Sequence, residues 1–291
     1  MNRGDLTDQQ WGHLEPLQPP IPSMGRPPRD RRQVFNAIWW RSRTGSPWRD
    51  IPERYGPWAT AYAVFRRWQR DGAWARILAA LNATADADGI LDWEVSIDST
   101  VCRAHQHAAG ARKKGASAPA VPESLVSVEP DDHGLGRSRG GLTSKVHLAV
   151  TASMHVLAVI VTAGQRGDAP QFLPLMQRIR VGRPAGGRPR TRPDHVCADR
   201  AYSSRAVRSD LRRRGIAHTI PEKQDQAGHR LRRGSAGGRP PGFDAERYKA
   251  RHKVECRIGL LKQARGVATR YDKLACRYEA TIEVTLIRQY L

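Results

Sequence analysis

The chain has 291 residues, 39% of them hydrophobic, enough for one large domain or two modest ones and too apolar for a mainly disordered protein. Forty-nine basic residues face 28 acidic ones, a net charge of +21 that repels itself unless a polyanion lies nearby, nucleic acid first and an anionic membrane surface second. The four scattered cysteines Cys102, Cys197, Cys256 and Cys276 form no CxxC pair, which argues against a zinc ribbon or disulfide scaffold and for a reducing cytoplasm.

The first 85 residues predict a small all-α module. Thr7 is placed to cap a helix with Gln10 as its capping-box partner, and Leu6 and Trp11 make a hydrophobic staple. A second helix is expected over 31–43. A third follows Pro57 with Tyr62, Phe65 and Trp68 at three-residue steps. A fourth carries the stripe Trp74, Ile77, Leu78 and Leu81. Several short helices with a net positive surface resemble a helix-turn-helix DNA binder in outline.

A polar break is expected at Asn82–Asp88. Beyond it, residues 90–291 read as an α/β domain. Trp93–Asp98 alternates as a strand does. Residues 105–140 read as a mobile basic insertion. Strands are expected at 144–150 and 156–162. The uncharged run 146–165 is interrupted by His147, Thr151, Ser153, His155 and Thr162, so it reads as a hairpin and not a membrane span. Asp168–Ile179 predicts a helix, 180–194 an Arg/Pro/Gly loop, His195–Asp199 a strand. Ser204–Arg214 predicts a helix stopped by Gly215, and Ile216–Ile220 a short strand. A second polar, basic insertion covers 222–242, a long helix 243–263, and a last helix 274–290. This order predicts a mixed five-stranded sheet flanked by helices, as in a ribonuclease-H-like fold.

Three acids stand out: Asp98 and Asp199 at expected strand ends, and Glu255 on the long helix. Strand ends beside a topological switch are where sites form in open sheets. Two aspartates with a facing helix carboxylate make a hard oxygen set suited to two Mg²⁺ ions, or to Mn²⁺. Such ions act on phosphodiesters. At 100° per residue, Tyr248, Arg251, Glu255 and Lys262 share a helix sector about 60° wide, beside an apolar stripe of Val254, Ile258 and Leu261. That edge reads either as a solvated salt-bridge face or, beside a phosphate path, as Glu255 on metal and Arg251 and Lys262 on DNA phosphates.

The spacing Tyr248-x2-Arg251-x3-Glu255-x6-Lys262 resembles the helix motif of bacterial insertion-sequence transposases with a DDE triad. Ile97-Asp98-Ser99-Thr100 and Ala198-Asp199-Arg200-Ala201-Tyr202 resemble the segments around their two aspartates. Gly136–Lys145, Arg103–His107, Gly25-Arg26-Pro27-Pro28 and Gly45–Pro52 are similar to the IS-five type within that group. The likeness covers about residues 5–285. It implies a ribonuclease-H-like catalytic domain with Asp98, Asp199 and Glu255 as ligands of two Mg²⁺, replaceable by Mn²⁺. It adds Arg137, Arg139 and Lys145 to Tyr248, Arg251 and Lys262 as DNA-binding residues. The implied activity is cutting at terminal inverted repeats and joining the 3′-hydroxyls to target DNA. The implied setting is a homodimer or larger assembly on double-stranded DNA, in the cytoplasm with the nucleoid, with no membrane partner. Thr151-Ala152-Ser153 departs from relatives, which often have an acidic turn there.

Two other readings stay open: an inactive or repurposed DNA-binding protein derived from a transposase, and a nuclease of the same fold acting on RNA–DNA hybrids. His105 and His107 read as part of a basic DNA-contacting loop. Gly187-Arg188-Pro189-Arg190 resembles the core of a minor-groove hook. Arg212, Arg213 and Arg214 read as phosphate contacts or a solvated helix end. Cys197 and Cys256 are expected to be small buried residues.

Overall fold

Local signals decide the first helices in the computed structural model, which describes residues 4–21, 23–25, 27–110 and 129–291. Thr7 caps α1 (Asp8–Leu14): its side chain accepts from the Gln10 amide, and the Gln10 side chain accepts from the Thr7 amide. Asp30 caps α2 (Arg31–Thr44), and Gly45 ends it in the left-handed region at φ 70°. α3 (Trp58–Arg70) buries Phe65 and Trp68. α4 (Ala73–Ala87) buries Trp74, Ile77 and Leu78. The break expected at Asn82–Asp88 does not occur, because α4 runs on to Ala87. Asn82 is buried and donates to Val156 O at 3.0 Å, and Asp86 accepts from Trp93 Nε1 at 2.8 Å. Residues that look like a loop in isolation anchor the helix to the sheet.

Strand β1 (Glu94–Ala104) is the centre of the sheet. It pairs antiparallel with β3 (Gly141–Thr151), whose far edge takes β4 (Val156–Ala163) and the short β2 (Gly136–Ser138). Its other edge takes β5 (His195–Ala198) in parallel and, near its end, the two-residue β7 (Thr269–Arg270); β6 (Ala217–Thr219) follows β5. Ignoring the two short additions, the order is β4-β3-β1-β5-β6, three antiparallel strands and two parallel ones. This is the five-stranded ribonuclease-H-like sheet that the sequence predicts. The turn after β3 gains the carboxylate that its sequence lacks: Asp92 accepts from the amides of Ala152 and Ser153.

Helices cover both faces. α6 (Phe172–Arg178) and α7 (Arg205–Arg213) bury Phe172, Leu175, Met176, Val207 and Leu211 with Val95, Ile97, Val196 and Ala198. On the opposite face, α10 (His252–Lys262) and α12 (Ala275–Tyr290) pack Val254, Leu261, Ile282 and Leu286 with Val146, Leu148 and Val161. Phe35, Ile38, Phe65 and Trp74 of the helical module join that same core. Each such aliphatic or aromatic burial contributes about 1.5–3 kcal/mol.

Several expected loops are ordered elements. Residues 106–109 form α5 (Gln106–Ala109), and Glu129 anchors the chain before β2 by accepting from the amides of Ala275 and Cys276. The rest of the predicted basic insertion, 111–128, lies outside the described residues. Within 222–242, α8 (Gln224–Arg232) forms, its first turn fixed by Gln226, whose side chain bonds Ser203.

The long helix expected over 243–263 is two helices, α9 (Ala245–Lys249) and α10. Ala250 and Arg251 keep helical dihedrals, but the backbone bonds tighten to three-residue steps: Arg251 N to Tyr248 O, Lys253 N to Ala250 O and Val254 N to Arg251 O, each 3.1 Å. Side chains three apart eclipse in such a turn, and the Arg251 guanidinium lies 5.7 Å from the Tyr248 ring centre. α11 (Arg265–Ala268) links α10 to β7. No helix among the described residues is long and apolar enough to cross a membrane.

Candidate active site

Asp98 lies within β1 and does not end it, because β1 continues six residues beyond as the partner of β3 and then β7. What ends beside it is β5. Ile97 pairs with Ala198, so Asp98 and Asp199 are the next residues on two adjacent parallel strands. Alternation along β1 directs Asp98 to the α10 face and Ser99 to the opposite face. The Ser99 amide donates to Asp98 Oδ1 at 2.8 Å, and Asp199 Oδ1 accepts from the Ala201 amide at 2.9 Å, capping the turn Arg200–Tyr202.

Arg251 joins the strand acid to the helix acid. Its Nη1 donates to Asp98 Oδ2 at 2.9 Å and its Nη2 to Glu255 Oε1. Burial pushes the Asp98 carboxyl above the ordinary range, and the Asp199 charge adds to this; the Ser99 amide and Arg251 oppose it. The Glu255 side chain is 55% exposed, whereas those of Asp98 and Arg251 are mostly covered. Among the described residues no three His, Cys, Asp or Glu side chains converge tightly enough for one metal ion.

The other basic residues fall into two groups. Lys262 lies farther along α10, where its Nζ donates to Val101 O at 3.0 Å. Arg137 and Arg139 are exposed at the β2–β3 hairpin. Lys145 is not free in this way: its Nζ lies 3.0 Å from Asp168 Oδ1 and donates to Arg166 O at 2.8 Å. Arg190 of the hook-like segment also turns inward, 4.1 Å over Trp93 and 2.6 Å from Asp194. Arg213 and Arg214 pair with Asp210 at the end of α7. Cys197 is buried as expected, but Cys256 is exposed, because it lies on the side of α10 away from Val254 and Leu261.

A fourth carboxylate completes the site from behind the sheet. Asp168, which reads in sequence as a helix start, accepts from Ser99 Oγ at 2.7 Å and pairs with Lys145. The fully buried His147 presents Nδ1 3.9 Å from the same oxygen and bonds Thr162 through Nε2 at 2.9 Å. Burial drives the His147 pKa down to about 4, with Asp168 opposing and Lys145 assisting. Tyr202 is buried against Phe172, and burial, then Asp168, Asp98 and Asp199, raise its pKa. The sequence signal for this cluster is the pair Lys145 and His147, two ionisable residues two apart on one strand of a hairpin that otherwise carries no Asp, Glu, Lys or Arg.

A ribonuclease-H-like sheet with two neighbouring aspartates, one of them linked through an arginine to a helix glutamate, defines a class, the enzymes that cut and transfer phosphodiester bonds of nucleic acid. Comparison with known proteins narrows it. The transposase DDE domain matches residues 91–287, and the family described as "Putative transposase of IS4/5 family" matches residues 6–78. The chain belongs to the DDE transposases of insertion sequences, whose general activity is metal-dependent DNA cleavage and strand transfer. Two relatives agree. The "Putative transposase for insertion sequence element IS402" of Burkholderia cepacia is 39% identical over 33% of this chain and 44% of its own length. The "Putative transposase for insertion sequence element IS6501" of Brucella ovis is 30% identical over 45% of this chain and 85% of its own. The match therefore spans less than half of the Burkholderia protein. The solved Mos1 transposase paired-end complex with left transposon end aligns over 84% of this chain and 82% of that one. It does so at 14% identity and a TM-score of 0.24, too low to add to the fold assignment.

Proposed function

We propose that this chain cuts DNA at the terminal inverted repeats of an insertion sequence and joins the freed 3′-hydroxyls to target DNA, using Asp98, Asp199 and Glu255. The observation that carries this is the Asp98–Arg251–Glu255 link beside Asp199 at the end of β5. The donor set fits divalent cations. It offers hard carboxylate oxygens, and the Asp98 charge is poorly solvated and beside a second negative charge. Asp98, Asp199 and Glu255 would hold two Mg²⁺, or Mn²⁺ in their place. When bound, the ions activate the attacking oxygen and stabilise the leaving one.

The protein's own groups do the rest. Arg251 holds Asp98 and Glu255 in place with its fork, and its remaining positive charge, with Lys262 and Tyr248, would face a DNA phosphate. Arg137 and Arg139 are exposed and suited to contact the backbone farther out, while Lys145 acts through Asp168 as a positioning residue. Asp168 holds Ser99, the residue after Asp98, and so fixes the strand at the acid pair. Two ends must be brought together, so the working unit is a homodimer or larger. The test is to incubate a DNA fragment carrying this gene and both flanks with the protein and Mg²⁺ or Mn²⁺. Cuts at paired inverted repeats are expected. Binding without cuts in either metal, by folded protein, would support the repurposed DNA-binding reading instead.

A further inference from the structure

A cavity of about 580 Å³ lies where the helical module meets the far end of β1. Its volume is that of a small-ligand site. Its walls are rings. Trp58 and Tyr62 come from α3, His105 and His107 from the segment leaving β1, and Tyr271 from the residue after β7. The His105 ring lies 4.4 Å from His107 and 5.0 Å from Tyr271. Trp58 is half-buried and carries Arg49 over its ring at 5.5 Å.

Among the described residues, two cations serve the cavity without a carboxylate paired to them. Lys273 is exposed at its rim. Arg277 is half-buried, and its Nε is buried without an acceptor among the described residues. The one acid in the wall among the described residues, Asp272, is already bound by Arg41 in a bidentate pair at 3.2 and 3.3 Å. So, among the described residues, the cavity offers flat apolar surfaces with positive charge at their edge and no free negative charge. Those are the features that stack a nucleobase and hold its phosphate.

Position supports a DNA strand as the source. β1 carries Asp98, and seven residues later the chain enters the cavity wall at His105, a separation of roughly 23 Å at 3.3 Å per residue. Lys262 touches β1 between the two, at Val101. DNA laid along α10 from the acid pair would reach the cavity after about seven base steps at 3.4 Å each.

We propose that this cavity takes a single unpaired nucleotide of the bound DNA, its base stacked among Trp58, His107 and Tyr271 and its phosphate met by Lys273 and Arg277. This rests on DNA as the partner, but on no part of the cleavage chemistry.

The test compares two short duplexes without divalent metal. One is fully paired; the other carries one central unpaired 2-aminopurine. The parent protein is expected to bind the second about tenfold more tightly, the scale of one stacked base, and to change its 2-aminopurine emission on binding. Trp58→Ala and, separately, Tyr271→Ala should remove that advantage while leaving the fully paired duplex bound as before. Equal affinity of the parent for both duplexes would overturn the proposal while leaving DNA binding intact. An advantage retained in both variants would overturn it too. Failure to bind either duplex would overturn it together with the DNA reading. Thermal melting of each variant separates a lost contact from a lost fold.

Discussion

Burial keeps His147 neutral. It is wholly buried, its Nδ1 has no hydrogen-bond partner among the described residues, and its folded pKa is about 4 against an ordinary 6.5. A depressed folded pKa means that its contribution to stability is present above 6.5 and is lost as the pH falls towards 4. The full interval corresponds to about 3 kcal/mol. His147→Gln should therefore flatten the fall of the melting temperature between pH 6.5 and 4. An unchanged pH profile would show that other groups carry it. Asp168 makes a second prediction. Asp168→Asn keeps the shape but weakens the hold on Ser99 and Lys145, and should slow cleavage about 10–100-fold, as loss of a partner behind a catalytic group does. If the melt is unchanged and cleavage is also unchanged, Asp168 has no positioning role. None of this cluster was legible beforehand beyond its residue types. Asp168 meets Ser99 from 69 residues away, and only the sheet register brings Lys145 and His147 to its face.

Elements with local signals were legible. The Thr7–Gln10 box, the stripe of α4 and the stop at Gly215, with φ 64°, depend on residues within a turn of one another. The turn between α9 and α10 was not legible. No glycine or proline marks it, and the dihedrals stay helical while the hydrogen bonds shorten their step. That turn places the Arg251 fork between Asp98 and Glu255. Arg251→Lys keeps the charge but cannot span both acids. Single-turnover cleavage should fall about 100-fold, the scale of a misplaced site. The melting temperature should barely move, because the Glu255 half of the link is exposed. Cleavage at the parent rate would show that the fork does not organise the site.

α12 belongs to neither end of the chain alone. Its Ile282 and Leu286 share one core with Phe35 and Trp74 of the module and with Val146 and Leu148 of the sheet. Leu286→Ala should cost about 2–5 kcal/mol. It should lower one cooperative transition, with far-ultraviolet and near-ultraviolet circular dichroism melting together. Separate transitions would mean that the module and the sheet fold independently. The molecule's net charge of +21 sets how it meets DNA. Each phosphate neutralised steepens the dependence of log affinity on log salt by about 0.9. A slope of about −5 or steeper is expected, and a flat one would rule out the electrostatic grip. The sheet order was legible at this scale because hairpin and α/β units can close in few ways.

The most direct measurement is cleavage of the gene-bearing DNA fragment by the parent and by Asp199→Ala, with and without Mg²⁺, after circular dichroism shows both folded. The acid-pair site predicts metal-dependent cuts by the parent and none by the variant. Equal cutting by Asp199→Ala would place the chemistry elsewhere in the chain.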